Sequence, residues 1–295
     1  MWNTAVWADP IDEAIWRGRY LADPNFRRET CLIAAMGNRV VGFLLGFIGQ
    51  ERSSLADSVD RPCWIVSMGV VADVRRHGIG SELFGAFECA AREQGSSSIL
   101  VGPYVPSYVA PGVDIVSYPE SLEFFDAMGA LEIARPLSMK VSLTTRRFPQ
   151  FTDDVVLPSR DDLSVRPALP QDLLPCLEFV RREFPEWIED VSQVIRSMHG
   201  PDHRSVTLHV AMRAERCIGF SLSRSERFGP FGVDPQERGR GVGRRLLEAT
   251  LAGMRTQGFH AAWFLWTNDR AAGLYRRAGF EEVRRFSLRR KDLRT

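Results

Sequence analysis

Two short stretches of the chain, RRHGIG at residues 75–80 and RGRGVG at residues 238–243, carry the same pattern of arginine and glycine. Laid over each other, Gly78 and Gly80 fall on Gly241 and Gly243, and Arg75 falls on Arg238. Upstream, SMGVVAD (67–73) falls on PFGVDPQ (230–236), with Gly69 on Gly232 and Val70 on Val233. Downstream, Leu83, Phe84, Phe87, Ala90 and Ala91 recur at helical spacing in the first copy. In the second, Leu246, Leu247, Leu251 and Met254 do the same. Each stretch ends at a glycine, Gly95 or Gly258, the expected helix stop. Apolar runs suited to buried strands follow: SILVGPYV (98–105) and AAWFLWT (261–267).

The match resumes after a shift of 13 residues, an insertion in the first copy within GPYVPSYVAPGVDIVSYPE. ESLEFFDAMGA (120–130) resembles RAAGLYRRAGF (270–280), with Phe125 on Tyr275 and Gly129 on Gly279. A last strand closes each copy, LSMKVSL (137–143) and RRFSLRR (284–290). Each half therefore reads strand, glycine loop, helix, strand, helix, strand. That order predicts an α/β fold with a mixed sheet, of α+β type, in two tandem copies. The proline- and charge-rich stretch at 146–163 reads as a linker between domains at 1–145 and 164–295. The second domain opens with a strand, a turn and a helix in SVRPALPQDLLPCLEFVRREF. The first opens directly on a helix around Ile11 to Tyr20; a strand reaching over from the linker or the second domain is one way to supply what is missing.

Composition narrows the partners. A net charge of +1 over 295 residues argues against nucleic acid and anionic membrane, which call for a basic excess. The longest apolar run, VVGFLLGFI (40–48), is too short to span a bilayer and reads as a buried strand. MWNTAVWADP has no basic flank and no continuous apolar core, so no signal peptide is expected. Five scattered cysteines without a CxxC pair suit reduced thiols in the cytoplasm. No metal site is expected. His199 and His203 stand four apart, but the glycine and proline between them break the helix that paired ligands need.

A strand, a glycine loop and a helix N-terminus together make an anion site. Free backbone N–H groups and the positive end of the helix dipole point the same way, and glycine lets a phosphate come close. The dinucleotide fingerprint needs a further glycine at 244 or 246, where Arg244 and Leu246 stand. The P-loop lysine is absent too. A lone GxG is a weak signal, open to reading as a turn or an RNA contact; two copies in one context are much less so. Both loops fit Arg or Gln, two residues, Gly, one residue, then Gly or Ala. With the strands before them, they resemble the acetyl-CoA-binding motif of the GNAT superfamily of N-acetyltransferases. In the second copy Asn268, Ala271, Leu274, Tyr275 and the GF at 279–280 resemble the family's downstream motif. Nearly the whole chain is similar to tandem-domain acetyltransferases, distantly those of the mycothiol synthase type.

The resemblance implies acetyl-CoA as co-substrate, no metal, and direct attack by a neutral amine of a small molecule in a ternary complex. It implies that Arg238, Gly239, Arg240, Gly241, Val242 and Gly243 hold the pyrophosphate, and that Phe231 and Val233 lie on the strand that pairs with the pantetheine arm. Asn268 would bond the cofactor or cap a helix. Tyr275 would be the general acid, though Ala271, Leu274, Tyr275 and Ala278 also form one helical stripe that suits a core. Val70, Arg75, Gly78, Ile79 and Gly80 are the matching cofactor residues of the first copy. That copy has Phe125 in place of the tyrosine and Tyr118 in place of Asn268, so it is expected to be the catalytically degenerate one. Glu226 and Glu186 are candidate bases, and Pro230 interrupts the strand that should face the cofactor, unless it marks a bulge. An acetyl-CoA sensor without turnover, and a transferase of another acyl group, stay open beside the acetyltransferase.

Overall fold

The computed structural model describes residues 1–49, 63–104, 108–145, 162–198, 200 and 203–293. Most of the expected linker, 146–161, and His199 lie outside the described residues. In chain order the main elements are α1 (Trp2–Ala5), α2 (Glu13–Ile15), β1 (Cys31–Met36), β2 (Arg39–Ile48), β3 (Cys63–Val70), α3 (Ile79–Glu93), β4 (Ser98–Val101), β5 (Val113–Asp114), α4 (Pro119–Ala127), β6 (Leu131–Ala134) and β7 (Leu137–Ser142). The second half holds β8 (Leu163–Pro167), α5 (Leu173–Glu183), α6 (Ile188–Met198), β9 (Val206–Arg213), β10 (Arg216–Arg224), β11 (Arg227–Val233), α7 (Val242–Thr256), β12 (Ala261–Thr267), α8 (Asp269–Arg277) and β13 (Glu281–Asp292).

The residues gather into two compact units, and the division differs from the one the repeat suggests. The first unit is Met1–Leu137 with Arg284–Thr295; the second is Ser138–Val283. The two closing strands have changed places. The Arg284–Asp292 part of β13 pairs antiparallel with β4 in the first unit, Arg289 opposite Val101 and Asp292 opposite Ser98. In the second unit β7 lies next to β12. A strand does reach over, but at the closing end of the sheet. Beside β1, where an opening strand is missing, the described pairing is to β2.

In the first unit β1, β2 and β3 run antiparallel, and β3 then pairs parallel with β4 from Cys63↔Ile99 to Ile65↔Val101. Helix α3 crosses between these parallel strands and drops Leu83, Phe84, Phe87 and Ala91 onto the sheet. These are the expected apolar positions, and Gly95 at φ +78° ends the helix as expected. The stretch expected to be helical around Ile11–Tyr20 is α2 followed by a π-type turn over Trp16–Leu21. Its Tyr20 ring is fully buried against Trp2 and Phe47.

The second unit keeps the opening strand β8, paired with β9, and continues antiparallel through β10 and β11. It has a core on each side of the sheet. Phe179, Val191 and Phe220 belong to the side covered by α5 and α6, and Val242, Leu246 and Ala249 of α7 to the other. Pro230 sits at a register break: Ser221 pairs with Phe231 and Ser223 with Phe228, leaving Gly229 and Pro230 in a bulge.

Candidate active site

The two glycine loops have the same backbone. Gly78 at φ +85° and Gly241 at φ +81° are the left-handed residues at which α3 and α7 begin. Three residues after each first arginine the chain thus turns a row of free helical N–H groups outward. One position differs: Gly239 at φ +80° is matched by Arg76 at φ +65°, a conformation an L side chain rarely takes. The first copy keeps a second guanidinium on the loop despite that cost.

The units differ in what lies beside the loop. In the first, β3 loses its β4 partner after Ile65 and runs on to Val70 paired only with β2. Val71 N–H donates to Val41 O at 2.9 Å, so by alternation the N–H groups of Val70 and Met68 point away from β2 into the opening. A cavity of about 620 Å³ fills this splay. Val70, Arg75, Gly78, Ile79 and Gly80, the five expected residues of the first copy, all line it. The Arg75 side chain is anchored across the loop, its Nε donating to Val70 O at 3.0 Å.

The far wall comes from the start of the chain and from the inserted loop. Trp2, Trp7 and Asp9 line the cavity with Val109, Ser117 and Tyr118. Tyr118 Oη accepts from Ala8 N–H at 2.9 Å and donates to Asp9 Oδ2 at 3.2 Å. Asp9 is held by both Nη atoms of Arg284, at 2.6 and 3.0 Å, while Arg284 Nε donates to Asp114 Oδ2 at 2.5 Å. Burial, then the neighbouring Asp9 charge, pushes the Tyr118 phenol up to about 12, so it carries its proton at neutral pH. Burial alone would raise the Asp114 carboxyl; donation from Ser117 N–H and Arg284 outweighs this and holds it below the usual range. Of the other two loop tyrosines, Tyr104 is buried and donates to Asp23 Oδ1 at 2.6 Å, and Tyr108 is half-buried. Residues 105–107 lie outside the described residues.

In the second unit β11 also leaves its parallel neighbour, β12, after Arg227↔Trp263, and alternation turns the N–H groups of Phe231 and Val233 toward the splay. Aromatic rings cluster beside these strands. Tyr275 packs 4.5 Å from Phe264, 5.5 Å from Phe280, 6.0 Å from Phe228 and 6.3 Å from Phe231, centroid to centroid. Phe231 also covers Gly243, where a Cβ would lie 3.3 Å from its ring. The Tyr275 hydroxyl makes no hydrogen bond among the described residues, and burial pushes its pKa well above the ordinary tyrosine range, making it a weaker acid. Asn268 caps α8, its Oδ1 accepting from Ala271 N–H at 2.9 Å. Val242 is buried, whereas Arg238, Gly239, Arg240 and Gly241 are exposed on the loop. Of the candidate bases, Glu226 accepts from His260 and Ala261 N–H groups and so fastens the start of β12. Glu186 is exposed on a 3₁₀ turn. No cluster of three or more His, Cys, Asp or Glu that could hold a metal ion occurs among the described residues.

A strand that parts from a parallel neighbour beside a glycine loop, found twice in one chain, defines a class of protein. Residues 3–106 match the model of the acetyltransferase (GNAT) family and residues 204–282 that of the acetyltransferase (GNAT) domain. The chain is a tandem-domain member of the GNAT acetyltransferases and an acyltransferase, of a fold that uses acetyl-CoA as co-substrate. No curated protein matches its sequence. Among solved structures it is similar to the GCN5-related glucosamine N-acetyltransferase region of a fungal multi-domain GH3 β-N-acetylglucosaminidase, at 18% identity and a TM-score of 0.76. That match covers 98% of this chain and 36% of the other, so the chain spans about a third of that protein. A GCN5-related N-acetyltransferase from Sphaerobacter thermophilus shares 17% identity at a TM-score of 0.68, with 99% and 90% covered. A tandem GNAT protein from the clavulanic acid biosynthesis pathway shares 18% at 0.63, with 99% and 93% covered. At these identities the likeness is one of fold.

Proposed function

We propose that the first unit binds acetyl-CoA in the splay between β3 and β4 and transfers the acetyl group to a primary amine of a small molecule. The observation that carries this is the cavity beside the RRHGIG loop, lined by all five cofactor residues expected there. The N–H groups at the start of α3, with Arg75 and Arg76, suit the pyrophosphate, and the N–H groups of Met68 and Val70 suit the amides of the pantetheine arm. In the reaction the amine nitrogen loses a proton and forms the C–N bond, the C–S bond breaks, and the CoA sulfur takes a proton. Phe125 has no proton to give, so the reading requires another donor. The net charge of +1 favours a small acceptor over nucleic acid, and the five free cysteines favour a cytoplasmic setting.

A second reading keeps the second unit as the working one, with Tyr275 as acid; the register of Asn268 and Tyr275 supports it. It requires the cofactor to pass the Phe231 ring, which packs over Gly243. Calorimetric titration with acetyl-CoA separates the two. Charge reversal of the first loop, Arg75→Glu with Arg76→Glu, is expected to weaken binding at least ~10-fold, because each arginine–phosphate contact contributes about 1.5–3 kcal/mol. Arg238→Glu with Arg240→Glu is expected to leave affinity within about twofold, and the reverse pattern moves the site to the second unit.

Turnover gives an independent check. Tyr275→Phe removes only a hydroxyl without a hydrogen-bond partner, so the rate of CoA release with an accepted amine should stay within about twofold. A loss of about 10²-fold or more would mark Tyr275 as the acid. Tight binding of acetyl-CoA without CoA release on any amine would favour a sensor.

A further inference from the structure

The two units share the splayed strand, the loop and the helix behind it. Beside these, the first cavity is lined by the Trp2–Asp9 segment and by the end of the inserted loop, where Tyr118 stands in place of Asn268. These two pieces are tied to each other by the Ala8, Tyr118 and Asp9 hydrogen bonds. The strand, loop and helix recur in both copies; this wall is where selectivity for a second ligand would be expressed.

Its chemistry is specific. Behind the wall one guanidinium, Arg284, faces two carboxylates, Asp9 and Asp114, whose side chains are 6% and 3% exposed. The trio carries one net negative charge, and of its members only Asp9 lines the cavity. A ligand in the cavity therefore meets the Asp9 carboxylate and the Tyr118 phenol, while Arg284 is not among the residues that line it. Next to them stands Trp7, 60% exposed although it is an indole, its ring edge-on to Tyr118 at 6.1 Å. Trp2, Ala5 and Val6 extend the wall with apolar surface. An exposed tryptophan beside a phenol and a carboxylate is a setting for a cation on an apolar stem, through cation–π attraction and contact with the rings. Against Trp2, Ala5, Val6 and Trp7 an apolar body buries more apolar surface than a polyhydroxylated one does.

Resting on the reading of the first unit as the transferase, we infer that Trp7, Asp9 and Tyr118 take the acceptor as a primary ammonium group carried on an apolar, aromatic body, which releases one proton to solvent before its neutral nitrogen attacks the thioester. Phenethylamine, glucosamine and the uncharged 2-phenylethanol serve as probes. Phenethylamine is expected to be acetylated with a KM at least ~10-fold below that of glucosamine, and 2-phenylethanol to compete with it at least ~10-fold more weakly than its own KM. Trp7→Ala is expected to raise the phenethylamine KM about tenfold with little change in kcat, while acetyl-CoA affinity stays within about twofold. Asp9 is not the residue to replace, because its loss would disturb Arg284. Equal use of glucosamine and phenethylamine, or a Trp7→Ala enzyme with an unchanged KM, overturns the inference and leaves the cofactor reading standing. Failure of acetyl-CoA to bind the first unit overturns that reading instead. Quenching of native fluorescence by phenethylamine without acetyl-CoA, absent in Trp7→Ala, supports the ammonium site even then; no such quenching overturns it.

Discussion

A chain ending at Val283 is expected to lose the cooperative unfolding of its first unit and, on the function proposed above, acetyl-CoA binding with it. The missing segment is a strand of that unit's sheet. It pairs with β4, β5 and β6, through Asp292↔Ser98, Phe286↔Asp114 and Leu288↔Ala134 among others. It buries Phe286, Leu288 and Leu293. Three such side chains contribute about 5 to 9 kcal/mol by burial, against a domain stability of about 5–15 kcal/mol. Arg289, 3% exposed, also donates from Nε to Ala130 O at 2.8 Å, and Lys291 reaches Glu88 at 2.5 Å. Because the two units are of similar length, the calorimetric unfolding enthalpy of the truncated chain is expected to fall by about half. A truncated protein with the full enthalpy would show that the first unit stands without β13.

Arg284→Met is expected to lower stability by about 3–5 kcal/mol at pH 7, since it strips the partner from two buried carboxylates while keeping volume and apolar contact. For a chain of this size that is a fall in Tm of about 10 °C. The pH dependence gives the sign. In the native protein the Asp114 carboxyl is held below its unfolded value, so its contribution is present above about pH 4 and is lost as pH falls through the native value. Without the guanidinium the Val116 and Ser117 N–H groups still donate to Asp114, so its carboxyl is held down less than in the native protein. The variant should therefore lose less stability than the native protein as pH falls from about 4 through the native Asp114 value. Melting curves of both proteins from pH 2 to 7 check this; parallel profiles would mean that the ion cluster carries no net stabilisation.

What could be read along the chain was local. The left-handed glycines, the apolar faces of α3 and α7 and the Asn268 cap each depend on a few neighbouring residues, and they fall where periodicity and capping rules put them. What could not be read was contact at long range. Arg284 and Asp9 are separated by 275 positions, and neither sits in a motif. LSMKVSL and RRFSLRR are both plain strand patterns, and nothing within them says which sheet each completes. The difference between the two splays was half legible. The stripe of Ala271, Leu274, Tyr275 and Ala278 announces a buried face, but whether rings from β11 and β12 meet it depends on three-dimensional packing. Trp7 gave no signal at all, because an isolated tryptophan near a chain start carries no periodicity.

The exchanged closing strand also sets an order of events on the ribosome. The second unit, Ser138–Val283, is complete in the nascent chain before the first one is. At about 5–20 residues per second, roughly 7 to 30 seconds pass between the synthesis of Leu137 and that of Arg284. Throughout that interval β4 and the inserted loop lack their partner strand, and the Asp9 and Asp114 carboxylates lack their cation. The half of the protein made first is thus the half that matures last.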